Sequence, residues 1–182
     1  MTDFNKWFAE KLIVARYPVL QEIMLGGIYA GIDLFINVSD QYYLPFVMKL
    51  ALMGKATNYF PMGERSSDIG LSSLYGALQV LYQAYTENYS VLLHCQAGMN
   101  RSPTVRCAFY YMMTGEHIPE ITTSFDIIIQ SNRLADNAGE HLPTLEWLEA
   151  WLKKCRFAFE NPGKFLGGQY DYCISKTNKL FN

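Results

Sequence analysis

Five residues, Ser90-Val-Leu-Leu-His94, form an apolar run long enough for a buried strand and too short for a helix. The run stops at Cys95. Ser102-Pro103 then opens a helical pattern, with the proline in a first turn where its missing N–H costs nothing. Between them lies Cys95-Gln96-Ala97-Gly98-Met99-Asn100-Arg101. A buried strand that feeds a helix through so short a loop belongs to an α/β layered fold, and open sheets of that kind bind ligands at the carboxyl ends of their strands.

The rest of the chain is read in the same way. Apolar residues near helical spacing from Phe4 to Arg16, with Pro18 as a stop, predict one helix. The runs Met24 to Tyr29 and Ile32 to Val38 predict two strands, with glycines at 26, 27 and 31 marking the turn between them. A helix follows from Tyr43 to Met53, a strand from Ala56 to Phe60 and an amphipathic helix from Leu71 to Tyr85. The helix opened by Ser102-Pro103 runs to about Thr114, before Gly115, and two more are expected at about Pro119 to Arg133 and Pro143 to Cys155. This alternation predicts a central, mostly parallel sheet of four to five strands flanked by helices. With 182 residues, half of them hydrophobic, and no repeat or linker, the chain is read as one domain over 1–182, its core at about 25–155 and both ends packed on it.

The loop 95–101 carries the chemistry. A helix start presents unpaired N–H groups and a positive dipole end, so successive amides from Gln96, Ala97, Gly98, Met99 and Asn100 can converge on phosphate oxygens. Gly98 lets the loop fold sharply. The same field favours a thiolate at Cys95, which makes it a nucleophile near neutral pH. Arg101 adds a planar fork that holds two phosphate oxygens at once and offsets the charge of a phosphoryl group in flight.

His94-Cys95-x5-Arg101-Ser102 resembles the signature of the protein-tyrosine-phosphatase superfamily, and the chain is similar to its small dual-specificity branch. Ile32 to Ser39 resembles that branch's early strand, Phe60-Pro61-Met62-Gly63-Glu64 its general-acid loop, and Leu71 onward the helix before the nucleophile strand. Cys95 lies mid-chain, unlike the N-terminal cysteine of low-molecular-weight tyrosine phosphatases and arsenate reductases. The resemblance implies that Cys95 attacks phosphorus to form a phosphocysteine, that Arg101 binds the phosphoryl oxygens, and that Ser102 helps the thiolate leave when water hydrolyses the intermediate. It implies that His94 is buried and holds the loop and the Cys95 environment through hydrogen bonds. The family acid is an Asp three positions after a Pro; here that position is Glu64, 31 residues before Cys95, while Asp68 has the usual residue type at a less usual distance. A Glu protonated by burial beside phosphate can do the same work. Both candidates stand, with Glu64 preferred on position.

The reading is a phosphomonoesterase acting on phosphotyrosine, and on phosphoserine or phosphothreonine, in a protein or peptide partner. The alternatives are a phosphoinositide or RNA 5′-triphosphate phosphatase, disfavoured because residues 96–100 carry no basic side chain, and a phosphoprotein-binding pseudophosphatase. Rhodanese-like sulfur transfer fits Arg101 and Ser102 less well. A lone buried cysteine is ordinarily an inert small hydrophobe, but Cys, Gly and Arg at this spacing between strand and helix are not. The net charge of −2 argues against nucleic-acid or membrane partners, and His117, His141 and four scattered cysteines show no metal-ligand spacing. No cofactor or metal is expected. The interrupted apolar pattern of the N-terminus and the lack of an 18-residue apolar stretch lead us to expect a cytoplasmic protein.

Overall fold

The run 91–94 becomes the second strand in from one edge of a four-stranded parallel sheet, flanked on both sides. In this computed structural model, which describes residues 3–63, 70–116 and 145–162, the strands are β1 (Leu12–Ala15), β2 (Leu34–Asn37), β3 (Ala56–Tyr59) and β4 (Val91–His94). Their order is β1-β4-β2-β3, and Val91 is in register with both Leu12 and Leu34. All four residues of β4 are buried, as a strand with neighbours on both edges and helices on both faces requires.

Among the described residues six helices cover the sheet: α1 (Phe4–Glu10), α2 (Leu20–Ile23), α3 (Leu44–Leu52), α4 (Leu71–Thr86), α5 (Arg101–Thr114) and α6 (Leu145–Glu160). The two-residue period of the strands separates two cores. Leu12, Ile36, Val91, Leu93 and Cys95 face α1, α4, α5 and α6, while Phe35 and Leu92 face α2 and α3 through Ile23, Phe46 and Leu50. Leu74, Leu78 and Leu81 of α4, each fully buried, recur at helical spacing, and each contributes about 1.5–3 kcal/mol of transfer free energy. Trp7 donates its indole N–H to the Tyr89 carbonyl at 2.9 Å, tying α1 to the turn that leads into β4. Gly115 ends α5 in the left-handed conformation, φ 76°, where glycine pays no steric penalty.

Three expectations are corrected. The single helix over Phe4 to Arg16 is a helix and a strand: Lys11 closes α1, and Leu12 to Ala15 pairs with β4. Ile13 and Val14 favour extended backbone, and the ladder on β4 is a long-range gain that local spacing does not reveal. The strand over Met24 to Tyr29 is a series of turns, closed by the Gly27 N–H on the Met24 carbonyl at 2.8 Å and the Ala30 N–H on the Gly27 carbonyl at 3.1 Å; Leu25 and Ile28 project into solvent. Ahead of it stands the unpredicted α2, whose start is fixed by the Glu22 carboxylate accepting the Val19 N–H at 2.9 Å. The last helix extends past Cys155 to Glu160. The helix expected at 119–133 lies outside the described residues. No helix among the described residues is long and apolar enough to cross a membrane.

Candidate active site

The loop from β4 to α5 brings Cys95, Gly98, Arg101 and Ser102 together. The Cys95 sulfur is buried and accepts two hydrogen bonds, from the Gly98 N–H at 3.2 Å and from the Ser102 hydroxyl at 3.3 Å. Gly98 adopts φ 74°, and a Cβ there would sit 2.6 Å from the Arg16 backbone nitrogen, so only glycine lets the loop lie against the end of β1. The Tyr17 N–H donates to the Gln96 carbonyl at 3.1 Å from the same side. The loop is therefore moulded on the segment after β1 as well as on its own strand and helix.

Burial pushes the Cys95 thiol up, but the Ser102 hydroxyl and amide, the Gly98 amide and the charge of Arg101 outweigh it and hold the thiol below its ordinary value. Removing the hydroxyl removes the strongest of the opposing effects. Ser102→Ala is expected to raise the thiol's titration midpoint and to slow iodoacetamide alkylation about tenfold on the acid side of the profile, the worth of one hydrogen bond to a charged group. An unchanged alkylation profile would contradict this.

Arg101 is the first residue of α5 and is buried. A cation at that end of a helix is opposed by the dipole, so it needs anionic or carbonyl partners. One terminal nitrogen, Nη1, donates to the Asp40 carboxylate at 2.7 Å and to the Met62 carbonyl at 3.0 Å. Asp40 is carried there by the loop after β2. Asn37 accepts the Ser39 N–H and donates to the Gln41 carbonyl, and the Ser39 hydroxyl donates to the same carbonyl, which fixes the turn around Asp40. Neither Asp40 nor Met62 was singled out from sequence. The available signal for Asp40 was a carboxylate just past the carboxyl end of a predicted strand, where α/β sheets build their sites.

The remaining expected residues divide. Gln96, Ala97, Met99 and Asn100 are all exposed, Met99 at 77%. His94 is buried on the opposite face of the sheet from the thiol, edge-on to the Tyr17 ring at 5.0 Å between centroids. Burial pushes its pKa down to about 4, against a hydrogen bond with the Cys95 backbone that favours protonation, so the ring is neutral at pH 7. Glu64 and Asp68 lie outside the described residues. Cys107 is buried in the core between α5 and its neighbours.

A family model described as dual specificity phosphatase, catalytic domain, matches residues 28–150. Searched against curated proteins, the sequence finds no match. Among solved structures, the chain is similar to Tk-PTP in its active form, with 19% identity, TM-score 0.53, and 82% of this chain and 94% of that one covered. It is also similar to DUSP15, with 15% identity, TM-score 0.55 and coverage of 83% and 91%. A third likeness is to PTPMT1 in complex with PI(5)P, with 13% identity, TM-score 0.53 and coverage of 84% and 94%.

Proposed function

Because the chain belongs to the dual specificity phosphatase catalytic-domain family, a family of cysteine-based phosphatases, we propose that it hydrolyses phosphate monoesters on protein side chains, phosphotyrosine among them, through a phosphocysteine on Cys95. The observation that carries this reading is the Cys95 sulfur held between the Gly98 N–H and the Ser102 hydroxyl, at the mouth of a loop that ends in Arg101. The thiolate attacks phosphorus, the P–O bond to the substrate breaks, and the departing oxygen takes a proton from Glu64 or Asp68. Water then attacks the phosphocysteine, the P–S bond breaks, and the Ser102 hydroxyl stabilises the sulfur as it leaves as thiolate. Both acid assignments rest on sequence position.

The preference for a protein substrate rests on the composition of the loop: residues 96–100 supply amides and no cationic side chain, which suits one phosphate rather than a polyphosphorylated headgroup. The test is a substrate panel of p-nitrophenyl phosphate, a phosphotyrosine peptide, phosphoserine and phosphothreonine peptides, and phosphoinositides. Turnover of the phosphotyrosine peptide above the lipids is expected; faster lipid turnover would overturn the protein-substrate reading, and no turnover of any ester would overturn the catalytic one. With the peptide, one of Glu64→Gln and Asp68→Asn is expected to lower kcat about 10²–10⁴-fold and to remove the basic limb of the pH profile.

Asp40 is assigned a positioning role. By occupying Nη1 it leaves the rest of the Arg101 fork for phosphate, so Asp40→Asn is expected to lower kcat/KM about tenfold while the thiol's alkylation profile stays in place. The Arg101 hydrogen bond also holds the Asp40 carboxyl below its ordinary value. The pair thus supports the native state above the unfolded carboxyl value of about 3.9, and that support fades as pH falls through the lower folded value. Asp40→Asn is expected to lose this acid dependence in urea titrations.

A further inference from the structure

Eight of the nine residues of α3 are apolar, and the ninth is Lys49. Phe46 and Leu50 take one side of the helix into the core against Ile23, Phe35 and Leu92. Leu44, Met48 and Leu52, spaced four apart and about 200° round the helix from that side, form a second apolar stripe. Leu52 is 87% exposed and the other two are more than half exposed. A helix that is apolar on both sides belongs between two coverings, and the core supplies one.

The turns before β2 extend the stripe. They lie beside α3, held by the packing of Ile23 with Phe46 and Leu50 and by the Lys55 ammonium, just past the end of the helix, donating to the Ala30 carbonyl at 2.7 Å. They present Met24, Leu25 and Ile28 to solvent, Leu25 in full, and no residue from Met24 to Ile32 is charged. Together the six side chains expose roughly 800 Å², above the roughly 300–600 Å² of the largest apolar patch on a typical monomer and close to the roughly 800 Å² that each partner gives a stable interface.

We propose that α3 and the turns before β2 form a twofold contact between two copies of this chain, the two α3 helices running antiparallel with Met48 against Met48 and Leu44 of each copy against Leu52 of the other. A twofold contact sets each charge near its own copy, so a surface whose helix carries one cation can meet itself where a charged surface would repel itself. Lys49, about 100° round the helix from Met48, sits at the edge of the stripe, where its ammonium keeps its water. Antiparallel α3 helices also oppose their dipoles favourably. A membrane fits less well: its surface is anionic, the chain's net charge is −2, and Lys55, the next cation after Lys49, is engaged by Ala30.

The experiment is sedimentation equilibrium of the full chain from about 1 to 100 µM, which is expected to give a mass approaching twice the chain's 20.9 kDa, with a dissociation constant in the micromolar range or below. Met48→Glu and Met48→Lys each put two like charges on the twofold axis, and each alone is expected to weaken pairing at least about 100-fold. An equimolar mixture of the two is expected to pair again, because one carboxylate then faces one ammonium. Three outcomes overturn the proposal: a monomer throughout the range, whose co-sedimentation with vesicles of phosphatidylcholine and phosphatidylserine would give the patch to a membrane; a dimer that Met48→Glu leaves intact, which would place the contact elsewhere; or a mixture that stays monomeric. Where the Met48 variants do not fold, Leu52→Glu, at the most exposed position of the stripe, replaces them, and an undiminished dimer again overturns the proposal. Mass is read without turnover, so failure here leaves the phosphatase proposal standing.

Discussion

Cys95→Ser is expected to abolish hydrolysis of every ester in the panel, by at least about 10⁴-fold in kcat, a loss typical of removing a nucleophile. The hydrogen bonds that lower the thiol act on a group whose ordinary value is about 8.5, and an alcohol starts too far above that for the same donors to ionise it near pH 7. The loop itself has little reason to change. The Gly98 amide, the Ser102 hydroxyl and the φ of Gly98 do not depend on sulfur, and serine is the smaller side chain. Binding of inorganic phosphate, read by calorimetry, is therefore expected to persist within a few-fold, with an unchanged urea midpoint. Residual turnover above a few per cent would mean that another group performs the attack, and loss of phosphate binding would mean that the sulfur holds the loop together.

The second large effect is expected at Arg101, and the informative variant keeps its charge. Arg101→Lys is expected to lower kcat/KM about 10²–10³-fold, comparable to losing one preorganised donor to a transition-state oxygen. The guanidinium divides its donors: Nη1 is bound to Asp40 and Met62, and the rest of the fork is left for substrate. A lysine ammonium is one point charge and cannot span both duties in a fixed plane. If Arg101→Lys costs less than about tenfold, charge alone suffices and the division of the fork has no catalytic weight. Arg101→Ala adds a stability effect, since the buried Met62 carbonyl loses its donor, at about 1–3 kcal/mol for a buried acceptor left unpaired, while the exposed Asp40 carboxylate returns to water.

What could be read from the sequence follows from how local each feature is. The strand Val91 to His94, the loop and α5 were legible because strand, glycine, arginine and first-turn proline lie within one continuous stretch, each dictating its neighbour's conformation. Leu71 to Tyr85 was legible because its buried leucines repeat at three and four residues. β1 was not, because Leu-Ile-Val-Ala following a helix continues an apolar pattern, and what makes it a strand is an open edge on β4 about 80 residues away. Asp40 was hidden for a related reason: its role depends on a turn built by Asn37 and Ser39 and on an arginine far along the chain. The apolar run Met24 to Tyr29 misled because its backbone closes on itself in turns, with the Gly27 N–H on the Met24 carbonyl and the Tyr29 N–H on the Glu22 carbonyl, and Leu25 and Ile28 stay exposed.

The position of β1 beside β4 also sets a schedule for synthesis. β1 is the first of the four described strands in chain order, and β4, its neighbour in the sheet, is made about 80 residues later. At the usual 5–20 residues per second the ribosome needs roughly 4–16 s to cover that interval. During it Leu12 to Ala15 waits as an unpaired apolar ribbon, while β2, α3 and β3, close together in the chain, can assemble without it. The segment that Gly98 packs against is thus made well before the strand it pairs with, and the phosphate loop cannot take its final form until the two have met.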